Sequence, residues 1–321
     1  MRVVGVDLGG THIRAVLADA GGNFLARHEV RTLAQEGLDA VLDRIVLTVQ
    51  AVCAGTPNVA AIGIGAPGPI DSTDGVVSTP PNLPGWVDVP LGRIVEERVG
   101  VPTVLANDAN LAALGEFTYG AGRNVRHLVY ITVSTGVGGG AIIDGELVEG
   151  YRGAAGEVGH TIVELDGPVC SCGKRGHLEA LVSGTAIGRQ ARAAVAAGRQ
   201  SVIPALAEGN PNGVTARIAT QAAFQGDELA LELFERAGST LGRSVVNVIH
   251  ILNPEMVAIG GGVSTAGEFL LGPMREVVME ELMPVFKEDL QLVVASLGRD
   301  VGLYGAVALA VRNAVQRRAV G

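Results

Sequence analysis

VVGVDLGGTHIRAVLAD, from Val3 to Asp19, is an apolar run that reaches Asp7, passes through Gly9-Gly10-Thr11 and resumes as a second apolar run with no room for a helix between. That pattern is a strand, a tight turn and a strand. VYITVSTGVGGGAIIDGELV, from Val129 to Val148, repeats it around Thr135-Gly136-Val137-Gly138. A hairpin written twice predicts two similar lobes, and bared glycine turns let backbone N–H groups approach a phosphate-sized anion closely. The expectation is an α/β fold of two lobes with a nucleotide in the cleft between them.

The 321 residues suit two domains at about 150 residues each, and 48% hydrophobic composition supplies each with a core. Glycine, 46 of 321, is about double its usual share and falls in short turns. A net charge of −9 without any run of like charges leaves no electrostatic footprint for nucleic acid or an acidic membrane. A small-molecule partner is expected instead. No apolar run approaches the length of a membrane span, and Asp7 interrupts the first strand too early for a secretory leader, so a soluble cytoplasmic protein is expected. Cys170 and Cys172 are too few and too close for a disulfide framework and point to metal ligation. Cys53 reads as a small residue closing a helix.

Further along, a third strand is predicted near Phe24 to Val30, and Leu38, Val41, Leu42, Ile45, Val49 and Val52 recur at helical spacing. A strand from Val59 to Ile64 runs into GAPGPIDSTDGVVSTPPNLPGW (Gly65 to Trp86), a proline- and glycine-rich loop of the length used by functional loops or lids. A helix over Leu91 to Arg98, a strand over Val101 to Ala106 and a helix over Ala109 to Phe117 should follow. The first domain is placed at residues 1–120 and the second at 121–300, with a cysteine-containing insertion at 157–179. A closing helix, 301–318, could pack back onto the first domain. There is no GxxxxGK[ST] loop. Two GxGxx[GA] matches, at Gly63, Gly65, Gly68 and at Gly136, Gly138, Ala141, run into prolines and into a strand rather than the helix a dinucleotide site requires.

DLGGTHIRAVLAD, the Asn107-Asp108 pair in LANDANLAALGE, STGVGGG, GEVGH (Gly156 to His160), CSCGKRGHLE (Cys170 to Glu179) and VAIGGGVS follow one another along nearly the whole chain. On these motifs the chain resembles the ROK family (repressor, open reading frame, kinase), and within it the members that phosphorylate glucose. The resemblance implies an actin-like, hexokinase-like fold of two ribonuclease-H-like domains and phosphorylation of glucose at the 6-hydroxyl with ATP and Mg²⁺. An N-acetylhexosamine kinase or a broad glucose and mannose kinase is the alternative, and polyphosphate an alternative donor. A homo-oligomer, dimer or tetramer, is implied as well. A ROK repressor would carry a helix-turn-helix module ahead of the first strand, whereas here that strand begins at Val3. A chaperone or cytoskeletal ATPase of the same fold would have no use for GEVGH or the cysteine insertion.

Phosphoryl transfer asks for positioning, charge neutralisation and a proton acceptor. Asp108, between a strand and a helix, is the candidate general base, and it could equally cap the helix. Asp7 would bind Mg²⁺ directly or through water, with Gly9, Gly10 and Thr11 against phosphate. Thr135, Gly136 and Gly138 form the opposite turn. Gly260, Gly261 and Gly262 precede a helix that they could open against the nucleotide, where the resemblance places adenosine. His160, Cys170, Cys172 and His177 are a donor set for structural, tetrahedral Zn²⁺, with His177 standing where family members usually have cysteine. The resemblance assigns the sugar to Gly65, Asn82, Asn107, Asp108, Glu157, His160 and Glu179. Acceptors at Glu157 and Glu179 suit the C1 and C2 hydroxyls of an aldohexose.

Overall fold

The structure is a computed structural model that describes residues 1–80 and 82–320; Pro81, in the long loop, lies outside the described residues. In chain order the first half runs β1 (Arg2–Leu8), β2 (His12–Asp19), β3 (Phe24–Arg31), α1 (Leu38–Cys53), β4 (Val59–Ala66), two short strands β5 (Ile70–Asp71) and β6 (Val76–Val77), α2 (Leu91–Val99), β7 (Thr103–Asn107) and α3 (Asp108–Tyr119). The rest runs β8 (Leu128–Val133), β9 (Val137–Ile143), β10 (Glu146–Leu147), α4 (Glu179–Val182), α5 (Gly184–Ala196), α6 (Ile203–Leu206), α7 (Ala216–Phe224), α8 (Glu228–Leu252), β11 (Met256–Gly260), α9 (Glu268–Glu281), β12 (Gln291–Val294) and α10 (Val301–Val320).

The duplicated hairpin becomes a duplicated sheet. One five-stranded sheet has the order β3-β2-β1-β4-β7 and the other β10-β9-β8-β11-β12, so each sets a three-strand meander beside two strands reached by crossovers. Strand β1 is antiparallel to β2 and parallel to β4, which is parallel to β7. β11 is parallel to both β8 and β12. Parallel strands need helical crossovers and are covered on both faces, which accounts for the nearly continuous burial of β1, β4 and β11. Two compact units result. One comprises the residues up to Arg126, Gly140–Gly156 and the segment from Ser296 onward; the other comprises His127–Gly139 and Glu157–Ala295. The grouping does not follow chain order.

In the first unit the strand period of two divides β1 between two cores. Val4, Val6 and Leu8 face α1, whose Val41, Leu42, Ile45 and Val49 complete that layer. Val3 faces α10 with Leu303, Val307 and Ala310. Gly5 and Asp7, at the same parity as Val3, share its face. Helix α10 lies so close to the sheet that a side chain on Gly63 would coincide with the carbonyl oxygen of Ala306, and one on Gly5 would come within 2.8 Å of Val307 Cγ2. Only glycine permits that approach. The loop after β4 is pinned rather than free, with Ile70, Val77, Leu83 and Trp86 buried in the α1 core. Among the described residues no helix is long and apolar enough to cross a membrane.

Glu116 in α3 is fully buried, and it ties three segments of this unit together. Its Oε1 accepts from the Leu297 N–H at 2.7 Å, and its Oε2 accepts from the Ala121 N–H at 2.9 Å and from the Ser296 hydroxyl at 3.1 Å. Removing the carboxylate leaves three donors, none fully buried, without their acceptor, a loss of about 2 kcal/mol. Glu116→Ala should therefore lower the unfolding free energy by that amount, read as a lower urea midpoint with an unchanged denaturant slope. An unfolding free energy within about 0.5 kcal/mol of wild type would show that water replaces the carboxylate.

Candidate active site

The first unit collects its expected site residues at the carboxyl ends of three adjacent parallel strands, the edge at which α/β sheets bind ligands. Asp7 pairs in register with Gly65, Gly65 with Ala106, and Ala66 with Asn107. Gly65 thus lies within the ladder, and a side chain there would reach 2.9 Å from Leu111 Cδ1. Asn82 lies beside the first glycine turn, since a side chain on Gly10 would come 2.8 Å from Asn82 Cβ.

That turn is closed internally. The Gly9 N–H donates to the His12 carbonyl at 2.9 Å, the Thr32 N–H to the Thr11 carbonyl at 2.8 Å, and the Thr32 hydroxyl to the Gly9 carbonyl at 2.6 Å. Thr32 is fully buried, and the sequence reading missed it. Missed too was Arg14, whose Nε donates to Asp7 Oδ2 at 3.0 Å while its Nη2 pairs with the same oxygen. Arg14 Nη1 donates to the Arg299 carbonyl at 2.9 Å, next to Asp300, which also holds Arg27. The signal was available, because Asp7 and Arg14 are equidistant from a hairpin turn and therefore face each other. With Oδ2 committed to a guanidinium, Asp7 offers Oδ1 to a cation or its water. That suits Mg²⁺, which keeps most of its waters and takes few carboxylates.

Asp108 opens α3 but does not cap it. The cap is Asn107, whose Oδ1 accepts from the N–H groups of Ala109 at 2.9 Å and Asn110 at 3.4 Å. An amide oxygen satisfies these first-turn donors in the usual way. Asp108 is then the first helical residue, exposed, with Oδ1 2.8 Å from the Ala109 N–H. Since the Asn107 oxygen is occupied, the polar group it retains is its Nδ2, which faces Gly68.

In the second unit the glycine turn between β8 and β9 is held on the start of α5. The Gly184 N–H donates to the Ser134 carbonyl at 2.7 Å and the Thr185 hydroxyl to the Thr135 carbonyl at 2.8 Å. The Val137 N–H is taken by Glu179 Oε2 at 3.2 Å. Beside the turn is a cavity of about 770 Å³, the size of a small-molecule site, whose lining includes Thr135, Thr185, Arg192, Thr215, Phe224 and Gly262. Gly261, at φ 88°, sits where a side chain would strike the Val133 backbone. The sequence leads one to expect that the glycine run opens a helix, and the structure differs. The run leads into a five-residue 3₁₀ turn, Gly262–Ala266, and α9 starts only at Glu268 after a second left-handed glycine, Gly267. A tightened turn of that length brings few aligned N–H groups, so the cavity wall rather than a helix terminus is what Gly262 contributes.

His160, Cys170, Cys172 and His177 come together, with one ligand atom of each lying within 4.8 Å of all the others. Cys172 Sγ is 3.2 Å from His177 Nδ1, and Cys170 Sγ is 3.7 Å from His160 Nδ1. A tetrahedral zinc would separate sulfur and nitrogen ligands by roughly 3.6 Å, so the donor set and its spacing fit that ion. Burial pushes the Cys170 thiol up, a bias that a bound cation would reverse. Both histidines turn Nδ1 inward. His160 Nε2 is left outward, 3.9 Å from the Glu157 carboxylate. The GEVGH segment reaches this place because Gly159 sits against the Val137 carbonyl, where no side chain fits.

Comparison with known proteins identifies the family. The model of the ROK family matches residues 3–313. The glucokinase of Thermotoga maritima is 42% identical over 96% of this chain and 97% of its own length, and that of Halalkalibacterium halodurans is 36% identical over 94% and 92%. The crystal structure of a ROK family glucokinase from Streptomyces griseus, in complex with glucose and AMPPNP, superposes with a TM-score of 0.84 at 36% identity, covering 97% of this chain and all of that one. The fold is the actin-like, hexokinase-like ATPase fold. The match spans both duplicated sheets and the cysteine insertion, and the chain belongs to the ROK family.

Proposed function

We propose that this protein is a glucose kinase that transfers the γ-phosphoryl group of ATP to the 6-hydroxyl of glucose. The observation that carries the reading is the exposed carboxylate of Asp108 at the end of β7, in a chain whose relatives over nearly full length include glucokinases at 42% and 36% identity. A primary hydroxyl is a weak nucleophile. Asp108 accepts its proton as the oxygen attacks the γ-phosphorus and the bond to the ADP oxygen breaks, giving glucose 6-phosphate, ADP and a protonated carboxyl that returns its proton to water. Gly65, Asn82 and Asn107 orient the sugar from the first unit. Glu157, His160 and Glu179 take the C1 and C2 hydroxyls, which leaves the exocyclic hydroxyl for Asp108.

Gly9, Gly10 and Thr11 are the phosphate-binding residues of the first unit, and Thr135, Gly136, Gly138, Gly261 and Gly262 those of the second, whose cavity takes the base. Mg²⁺, when bound, neutralises phosphate charge, and Asp7 Oδ1 is the carboxylate oxygen that would hold it or its water. Zn²⁺ at His160, Cys170, Cys172 and His177 is structural, since four protein ligands leave no open position. Ligation through Nδ1 leaves His160 Nε2 as the group that meets the sugar. A cytoplasmic homo-oligomer, dimer or tetramer, completes the proposal.

Asp108→Asn should lower kcat by about 10² to 10⁴ while glucose binding stays measurable by calorimetry. More than about a tenth of wild-type kcat would remove Asp108 from the role of base.

In a coupled assay with ATP, glucose should show a higher kcat/KM than mannose, N-acetylglucosamine, N-acetylmannosamine or fructose. Phosphorus NMR of the product should place the ester at C6. An ester at C1 would reverse the sugar's orientation.

His177→Ala should lose most of its zinc by elemental analysis and raise the KM for glucose by about tenfold, because His160 loses its fixed orientation. His177→Cys should retain both metal and KM. Unchanged zinc in the alanine variant would place His177 outside the metal site.

A further inference from the structure

Glu179 is more heavily engaged than a residue held ready for sugar alone. Its Oε1 accepts the Ser171 hydroxyl at 2.6 Å and lies 3.5 Å from the Cys170 thiol. Its Oε2 accepts the Val137 N–H at 3.2 Å. The same oxygen sits 2.5 Å from where a Cβ on Gly136 would be, so the carboxylate rests directly against the second glycine turn. Of about four acceptor positions on a carboxylate, three face protein donors. One group thus joins the cysteine insertion to the turn that the proposed function gives to the nucleotide.

This join depends mainly on a single side chain. Ser171, with its hydroxyl at 2.6 Å, is the closer side-chain donor to Oε1, against 3.5 Å for the Cys170 thiol. It lies between Cys170 and Cys172, so two adjacent ligands hold its backbone once the metal is in place. A short O–H···O⁻ bond is the strong kind, and one to an ionised acceptor outweighs an ordinary exposed contact.

We infer that Ser171 is a positioning residue which, through Glu179, couples the metal-held insertion to the Ser134–Gly138 turn, so that affinity for the phosphates of a nucleoside triphosphate depends on a side chain that touches neither nucleotide nor metal. The inference rests on the proposed reading of that turn as a phosphate site. Releasing Oε1 lets the carboxylate rotate, and rotation takes Oε2 off the Val137 amide. The turn then loses the bond that orients its amides. The glucose hydroxyl that uses the fourth acceptor position of Glu179 loses its reference in the same motion.

The test compares wild type, Ser171→Ala and Ser171→Thr as full-length, zinc-loaded proteins. Zinc is measured by elemental analysis, the Kd of AMPPNP by calorimetry without sugar, and kcat and KM by steady-state kinetics. Expected for Ser171→Ala are unchanged zinc and Tm, an AMPPNP Kd weakened about fivefold, a glucose KM raised by a similar factor and a kcat within about twofold. Ser171→Thr, which keeps the hydroxyl, should restore both affinities. An unchanged AMPPNP Kd in the alanine variant overturns the inference whatever happens to glucose. So does loss of zinc from that variant, which would make Ser171 part of the metal site, or failure of threonine to restore binding. Failure of the underlying reading is distinct, because it would appear as wild-type protein that neither binds AMPPNP nor phosphorylates glucose.

Discussion

The first unit depends on how closely α10 approaches its sheet. Ala306 places a carbonyl oxygen where any residue but glycine at position 63 would have its Cβ, and Val307 does nearly the same over Gly5. Interiors of this density do not absorb an extra methyl without moving the backbone. That contact aligns the ends of β1, β4 and β7, because the helix that seals one face begins at Val301 beside the end of β1. Gly302 lies against the Asp7 carboxylate, where an added Cβ would sit 3.4 Å from Asp7 Cγ. Helix packing and the placement of the candidate phosphate turn are therefore one constraint.

Three carboxylates with related assignments stand in three different surroundings. Asp7 is tied to Arg14, which is anchored in turn by the Arg299 carbonyl, so its charge is partly answered before any cation arrives. Asp108 is exposed at the first turn of α3, whose cap is the neighbouring Asn107. Glu179 is held by a hydroxyl, a thiol and a backbone amide and so acts as a strut with one acceptor position to offer. Chemically identical groups are separated in function by the donors around them.

Much of this was legible in the chain. The repeated strand-turn-strand, the helical spacing through Leu38 to Val52 and the parity of Val3, Gly5 and Asp7 are consequences of period, and period is a local property. The Cys/His cluster was legible because ligand types crowd into a short insertion. Less legible was what followed Gly260 to Gly262, because an apolar run, three glycines and a polar stretch read alike before a helix and before a 3₁₀ turn. The capping of α3 also went to the neighbouring residue. Asn and Asp are near-equivalent caps, and only the φ/ψ values of Asn107 and Asp108 separate them.

The sequence by itself determined the duplication, the glycine turns, the donor set of the insertion and the carboxylate at the end of β7, since each depends on residues near one another in the chain. Only the tertiary structure decided which of those groups were already engaged. Thr32 seals the first turn, Glu116 gathers Ala121, Ser296 and Leu297, and Ser171 leads through Glu179 to Val137. A hydrogen bond is decided by distance and direction in space, and for Glu116 and Glu179 the partners lie 181 and 42 positions away along the chain. Composition and spacing carry no record of such pairs, because the chain meets itself there only after the strands and helices have packed.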